Sequence, residues 1–310
     1  MHAEQPLVSV VIPTYNRSKL VRAAIDSVLA QTVRVDEVIV VDDGSTDDTA
    51  RVLQQEYGDR VRYIHQANSG VSRARNRGLA VARGRYLTLL DSDDEWLPEK
   101  TELQLDWLER RPEYGMVLCD LLAFDVARGR EYPIRRRAQL PEDGRILKWV
   151  LVSPFLPPSA LMMRRAVYED VGGFDVDLPT AEDLQYHIRI ARRWPIGLIE
   201  MPLTKVIRGD DGLSSLPRSM LDDLAVIDQA IATCRGSVED VWLRRARSRA
   251  YSRNARGMIY ANDWRAALRL ASVALREGPD LTARREAIEV PILLALRGLR
   301  SIGRRALRRR

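Results

Sequence analysis

The chain is poor in the residues that build disulfide frameworks and soft-metal sites. Its 310 residues include two cysteines, Cys119 and Cys234, far apart in the sequence, and three histidines, His2, His65 and His187, in no ligand spacing. A disulfide scaffold and a cysteine-rich metal centre are excluded, and a reducing compartment is expected. No uninterrupted apolar run approaches the roughly 20 residues of a membrane span. Residues 1–6 contain no basic segment leading into a signal-type apolar stretch. These absences predict a cytoplasmic protein. Also missing is a basic stripe with interleaved aromatics, the pattern that neutralises and stacks nucleic acid. The net charge is +6, but the last 20 residues carry seven arginines (Arg297, Arg300, Arg304, Arg305, Arg308, Arg309 and Arg310) and no acid, so residues 1–290 sum to 6 − 7, or −1. No nucleic-acid partner is expected.

What is present is alternation. Residues 7–12 form a short continuous apolar run, as parallel strands covered on both faces require. The run is expected to stop at Pro13, Thr14, Tyr15 and Asn16. A helical spacing follows over 18–31 with Ser18 as its expected N-cap, then a strand over 37–41. That strand ends in Asp42-Asp43-Gly44-Ser45-Thr46-Asp47, where Ser45 or Thr46 is expected to cap a helix over 49–57. A strand over 61–64, a helix over 71–82 opened by Asn68-Ser69-Gly70, and a strand over 86–90 continue the pattern. Strand-helix alternation predicts a doubly wound α/β sheet, in which ligands bind beyond the carboxyl ends of the strands.

The unusual polar clusters all sit at those ends. The densest, Asp91-Ser92-Asp93-Asp94-Glu95, closes an apolar run with a block of carboxylates. Like charges this close repel, so a bound cation or full solvation must offset them. A solvated turn capping a helix over 96–109 is the alternative, and Asp94 and Glu95 suit that cap. The turn after the first strand lacks the Gly-x-Gly-x-x-Gly cradle that seats a pyrophosphate on the first helix. A divalent cation on Asp91 and Asp93 offers another way to neutralise a diphosphate, since magnesium takes one or two carboxylates plus phosphate oxygens and waters. Tyr15 is placed to stack on a base and Asp43 to accept its imino proton.

These stretches resemble the family-2 glycosyltransferases of the GT-A fold. The resemblance rests on residues 8–17 (VSVVIPTYNR), 37–47 (EVIVVDDGSTD), 68–78 (NSGVSRARNRG) and 90–94 (LDSDD), and covers roughly residues 5–215. It implies a GT-A type doubly wound mixed sheet, with a Rossmann-like nucleotide half (1–98) and an acceptor half (99–215). It also implies a metal-dependent, inverting transfer of sugar from a nucleotide diphosphate donor, most often a UDP-sugar, to a hydroxyl of a lipid-linked or polysaccharide acceptor. Carried over by motif, Thr14, Tyr15 and Asp43 hold the nucleoside, with Pro13, Asn16 and Ser92 beside them. Asp91 and Asp93 are the Asp-x-Asp ligands of Mg2+ or Mn2+. Arg75 and Asn76 reach the nucleotide or fix the metal-binding acids, whereas Arg73 and Arg77 read as a solvated helix face. Residues 159–163 resemble the family's strand ahead of its acid pair, here Glu182-Asp183, with Asp183 the expected base. Two acids in the first turn of a helix over 182–193 also suit the helix dipole without further role. Asp175 is a possible acceptor contact. Relatives often carry histidine after an arginine near Arg208; this chain has Asp210 there, which leaves that loop's role open. Two other functions stay in view: an inactive nucleotide-sugar-binding scaffold, and a sugar-phosphate nucleotidyltransferase, which should carry a Gly-rich loop after the first strand.

From about residue 216 the text turns to helical periodicity. Residues 260–276 resemble one helix-turn-helix pair of the tetratricopeptide type, too few copies for a solenoid. Residues 292–302 set an apolar stripe opposite arginines, the pattern of an interfacial helix drawn to an anionic membrane surface. A packing helix with a basic end is the alternative. The expected organisation is a catalytic domain over 1–215 and a helical region over 216–310.

Overall fold

The computed structural model describes residues 7–126, 128–134, 140–153, 157–208, 217–278 and 281–292. The chain divides into two compact units, one of residues 1–146 and 155–211 and the other of residues 147–154 and 212–310.

The first unit is built on a mixed sheet of β1 (Val8–Thr14), β2 (Glu37–Asp42), β3 (Arg62–His65), β4 (Tyr86–Leu89), β5 (Glu95–Trp96), β6 (Met116–Asp125), β7 (Arg130–Ile134), β8 (Leu161–Arg164) and β9 (Ile196–Arg208). Strand order among the described residues is β3-β2-β1-β4-β8-β6-β9-β5, with β7 on β6. The first four of these neighbours run parallel, and β8 enters antiparallel to both β4 and β6. The order turns back between β1 and β4, which opens the crevice where ligands of such sheets bind. β1 and β2 are buried throughout, which is why both read as apolar runs rather than as alternation. Val8, Val10 and Ile12 of β1 and Val38 and Val40 of β2 share one core with Val21, Ile25 and Val28 of α1 (Leu20–Leu29). The remaining helices of the first unit are α2 (Thr49–Val52), α3 (Val71–Val81), α4 (Lys100–Glu109), α6 (Arg165–Val171) and α7 (Glu182–Arg193); α5 (Leu147–Val152) belongs to the second unit.

Several local expectations are corrected by tertiary contacts. β1 runs through Pro13 and Thr14 because its ladder to β2 continues to Thr14 opposite Asp42, so the turn begins only at Tyr15. Ser18 does not cap α1; its backbone N–H donates to the Asp47 carboxylate at 3.1 Å. Ser45 and Thr46 do not cap α2: the Ser45 hydroxyl accepts the Asn16 N–H at 2.9 Å, and Asp47 receives the N–H of Thr49 at 3.0 Å. The helix expected over 96–109 starts only at Lys100, because Glu95 and Trp96 pair with Lys205 and Thr204 as β5. β9 runs unbroken over 13 residues, and its register against β6 slips beside Asp120.

The second unit is helical. It holds α5, α8 (Pro217–Cys234), α9 (Asp240–Tyr260), α10 (Trp264–Glu277) and a further helical stretch over 281–292. α9 and α10 are joined by a tight turn in which Asn262 takes φ 63° and the Asp263 carboxylate caps α10 by accepting the Ala266 N–H at 2.9 Å. Ala267, Ala271 and Ala274 let α10 approach α9, where Ala255, Met258 and Ile259 meet them. Among the described residues no helix is long and apolar enough to cross a membrane. Of the basic stretch over 292–310, all but its first residue lies outside the described residues.

Candidate active site

The carboxyl ends of β1, β2 and β4 each deliver a polar turn, and hydrogen bonds lock the three turns into fixed positions. After β1, Asn16 adopts φ 50°, and its Oδ1 accepts the Thr46 N–H at 2.7 Å, tying this turn to the one after β2. Gly44 makes that second turn possible: its φ is +84°, and a Cβ there would lie 2.7 Å from the backbone nitrogen of Asn68. Asp43 then reaches the segment that opens α3. Its carboxylate accepts Gln66 Nε2 at 2.7 Å, the Ser69 N–H at 2.9 Å and the Gly70 N–H at 2.8 Å. Asp42 accepts the Tyr63 hydroxyl at 2.7 Å and the Ser45 N–H at 2.8 Å, so only one acid of the pair faces the opening of α3. Thr14 is buried, and its hydroxyl has no hydrogen-bond partner among the described residues. Tyr15 beside it is 47% exposed.

Arg75 is the pivot of the site. It stands on the buried face of α3, where Nη2 meets Asp91 Oδ1 and Nη1 meets Glu182 Oε1, both at 2.7 Å. Its guanidinium also lies 5.2 Å from the Phe174 ring centroid. Burial alone would lower its affinity for the proton, but Asp91, Glu182 and Asp183 outweigh that and raise its pKa, so Arg75 is charged throughout the accessible pH range. One arginine thus joins the end of β4 to the start of α7, whose Glu182 lies 107 residues beyond Arg75 in the chain. Only the planar fork of arginine spans two carboxylates this way. Asn76, next on α3, gives both amide atoms to the backbone of Phe174, at 2.8 Å and 2.7 Å. Gly173 leaves room for that bond, since a Cβ there would fall 2.4 Å from Asn76 Oδ1.

The acids after β4 are held by Ser159, a residue whose sequence context marks only a strand. Its hydroxyl donates to Asp94 Oδ2 at 2.5 Å and accepts the Asp91 N–H at 3.0 Å, while its carbonyl receives Trp96 Nε1 at 2.9 Å. Asp93 pairs with Arg17 Nη1 at 2.7 Å, each side chain about one third exposed. Burial and the neighbouring Asp91 push the Asp93 carboxyl above its usual range, and Arg17 offsets this only in part. Burial, then Asp91, push Asp94 up as well. Ser92 is buried between them. The set is therefore short of positive charge even with Arg17 and Arg75 in place, which fits a divalent cation. Among the described residues no three His, Cys, Asp or Glu side chains converge as a complete protein metal site. Two carboxylates are what a magnesium-type ion takes when phosphate oxygens and water fill its remaining positions.

Glu182 and Asp183 open α7 behind a strained residue. Ala181 takes φ 62°, the left-handed region that a side chain disfavours. Glu182 is committed to Arg75, whereas Asp183 is half-buried and bonds its own helix end through the Leu184 N–H at 2.7 Å. Asp175 caps its own turn by accepting the Asp177 N–H at 3.0 Å. Arg208 ends β9, its side chain is not described, and Asp210 lies outside the described residues. Arg17, Ser159, Gln66 and Phe174 were not singled out from the sequence. Arg17 carried a local signal, as the last residue of the first motif.

The mixed sheet with acids gathered at its switch point has a fold of the GT-A type. Residues 9–172 match the family described as glycosyl transferase family 2, and this chain belongs to that family. It is similar to the chondroitin synthase of Escherichia coli, with 31% identity over 214 residues, 66% of this chain and 30% of that protein. The matched stretch makes up 28 to 34% of the length of this and similar curated relatives. In fold the chain resembles S. aureus TarS, with a TM-score of 0.65 at 20% identity over 92% of this chain and 88% of that one. It also resembles the mannosyltransferase PcManGT of Pyrobaculum calidifontis, with a TM-score of 0.59 at 20% identity over 95% of this chain and 81% of that one.

Proposed function

We propose that the protein is a divalent-metal-dependent, inverting glycosyltransferase that moves a sugar from a nucleotide diphosphate donor to a hydroxyl of a glycan or lipid-linked acceptor. The observation that carries this reading is the Arg75 bridge, which gathers Asp91 and the Glu182-Asp183 pair around one side chain in a member of this family. Relatives support the donor class: TarS has been solved with UDP-GlcNAc and PcManGT with GDP-Man and Mn2+. Of these donor classes, a uridine diphosphate sugar is the one proposed for this protein.

In this scheme Tyr15 stacks on the base, the Thr14 hydroxyl gains its missing partner, and Asp43, fixed by Gln66 and the Ser69 and Gly70 amides, lines the nucleoside pocket. Pro13, Asn16 and Ser92 shape the same wall. Asp91 and Asp93 would hold Mg2+ or Mn2+, which supplies charge neutralisation of the departing diphosphate. Because the leaving group needs no proton, one carboxylate suffices. Asp183 takes the proton of the acceptor hydroxyl as that oxygen attacks the anomeric carbon, the bond to the diphosphate breaks on the opposite face, and configuration inverts. Glu182 and Arg75 position Asp183, Asn76 holds the Phe174 loop beside them, and Asp175 is assigned to acceptor contact. The basic tail is assigned to an anionic membrane surface. A panel of nucleotide sugars tests the reading: one donor should release its nucleotide in an acceptor- and metal-dependent manner and stop on chelation. Release that persists in chelator would overturn the metal assignment, and binding without turnover of any donor would favour a nucleotide-sugar-binding scaffold.

A further inference from the structure

We propose that Arg17 is the protein's own counter-ion at the cation site, seated on Asp93 when no metal is present and passing to the donor's diphosphate when metal and nucleotide bind, so that the two bindings are coupled. The inference rests on the metal reading of Asp91 and Asp93 given above.

The geometry separates a fixed backbone from a releasable side chain. The chain around Arg17 is anchored: Asn16 is held by the Ser45 hydroxyl and the Thr46 amide, and the Arg17 carbonyl accepts the Val21 N–H at 3.0 Å. The side chain is different. It is one third exposed and reaches Asp93 Oδ2 through Nη1 at 2.7 Å. Partly exposed ion pairs are weak, on the order of 0.2–1 kcal/mol. Arg75, fully enclosed and bonded to two acids, is held in a way that Arg17 is not.

A cation on Asp93 and a guanidinium on the same oxygen exclude each other, by space and by charge. A divalent ion has the stronger attraction for the carboxylates, but it must displace Arg17, which lowers its affinity while no other anion is at hand. A diphosphate supplies that anion. Arginine binds phosphate as readily as carboxylate, and the turn carrying Arg17 follows the Thr14-Tyr15 segment assigned to the nucleoside. The donor thus removes the competitor of its own metal, and by linkage the metal favours the donor by the same factor.

Binding of Mn2+, read as the free-ion signal in electron paramagnetic resonance, tests this on the full chain and on Arg17→Gln, with and without saturating uridine diphosphate. Without nucleotide, Arg17→Gln should bind Mn2+ about fivefold more tightly than the wild type, the scale of a weak ion pair removed. With uridine diphosphate the difference should vanish or reverse, because the wild type then regains Arg17 as a phosphate partner. Equal Mn2+ affinity of the two proteins without nucleotide would overturn the inference. So would a gain of the same size in both conditions, which would mark a general field effect rather than an exchange of partners. Asp93→Ala separates the two levels of the argument. If it abolishes Mn2+ binding while Arg17→Gln changes nothing, the metal site stands and the counter-ion role fails; if it leaves Mn2+ binding intact, the metal reading itself fails.

Discussion

Arg75 shows what one side chain contributes to this site and how it can be probed. Replacing it with glutamine leaves Asp91 and Glu182 without their shared cation, and unpairing a buried charge costs about 3–5 kcal/mol. Arg75→Gln should therefore lower the denaturation midpoint sharply. Arg75→Lys should recover little, because an ammonium cannot span both carboxylates. Lys100 gives a second prediction, this time in pH. It is fully buried, with Gln104 Oε1 at 2.7 Å and the Trp96 ring centroid at 4.0 Å, and burial lowers its pKa from 10.5 to about 8. Between pH 8 and 10.5 the unfolded chain holds this proton and the folded chain does not, so stability rises with pH across that window. A shift of this size corresponds to roughly 3 kcal/mol, less whatever the Trp96 ring returns. Denaturant titrations across the window should show the rise in the wild type and a flatter profile in Lys100→Met. The motif acids and Arg75 could be read from the sequence because each follows a strand or sits in a recognisable run. Ser159 could not: its bonds to Asp91 and Asp94 join positions more than 60 residues apart, and no local pattern records them.

Ala181 carries its consequence at the level of α7. A left-handed residue ahead of the helix costs an ordinary side chain roughly 1–2 kcal/mol, part of which glycine returns as freedom of the unfolded chain. Ala181→Gly should then raise stability by about 0.5–1 kcal/mol with the denaturant slope unchanged. A loss of stability would mean that the turn is not strained. Gly44→Ala is the opposite case, combining a forbidden φ with a contact against Asn68, and should cost about 1–3 kcal/mol and weaken nucleotide binding by loosening the segment that Asp43 holds. α3 and α7 were legible almost to the residue from their apolar spacing and entry signals. The start of α4 was not, because Trp96 follows the β9 ladder and donates its indole N–H to Ser159, and tertiary pairing overrides local helical preference there. For the same reason the capping role expected of Asp94 is replaced by its bond to Ser159.

Across the molecule, positive charge gathers at one end of the sequence. Seven arginines in the last 20 residues leave the rest of the chain near neutrality. Juxtamembrane basic residues contribute about 1 kcal/mol each near an anionic surface. Removing residues 293–310 should therefore abolish co-sedimentation with vesicles containing anionic lipid and leave nucleotide binding unchanged; unaltered sedimentation would assign that stretch to packing instead. The doubly wound sheet was legible because its parallel strands β1, β2 and β4 are buried on both faces and so read as apolar runs. The antiparallel insertion of β8 between β4 and β6 was not, since register depends on partners far away in the chain. Asp183 is the proposed base, and donor binding and sugar transfer by Asp183→Asn, measured side by side, probe that role. Donor affinity should stay within about twofold of the wild type, with transfer reduced by the ~10²–10⁴ that a general base contributes. Transfer at near the wild-type rate would contradict that role.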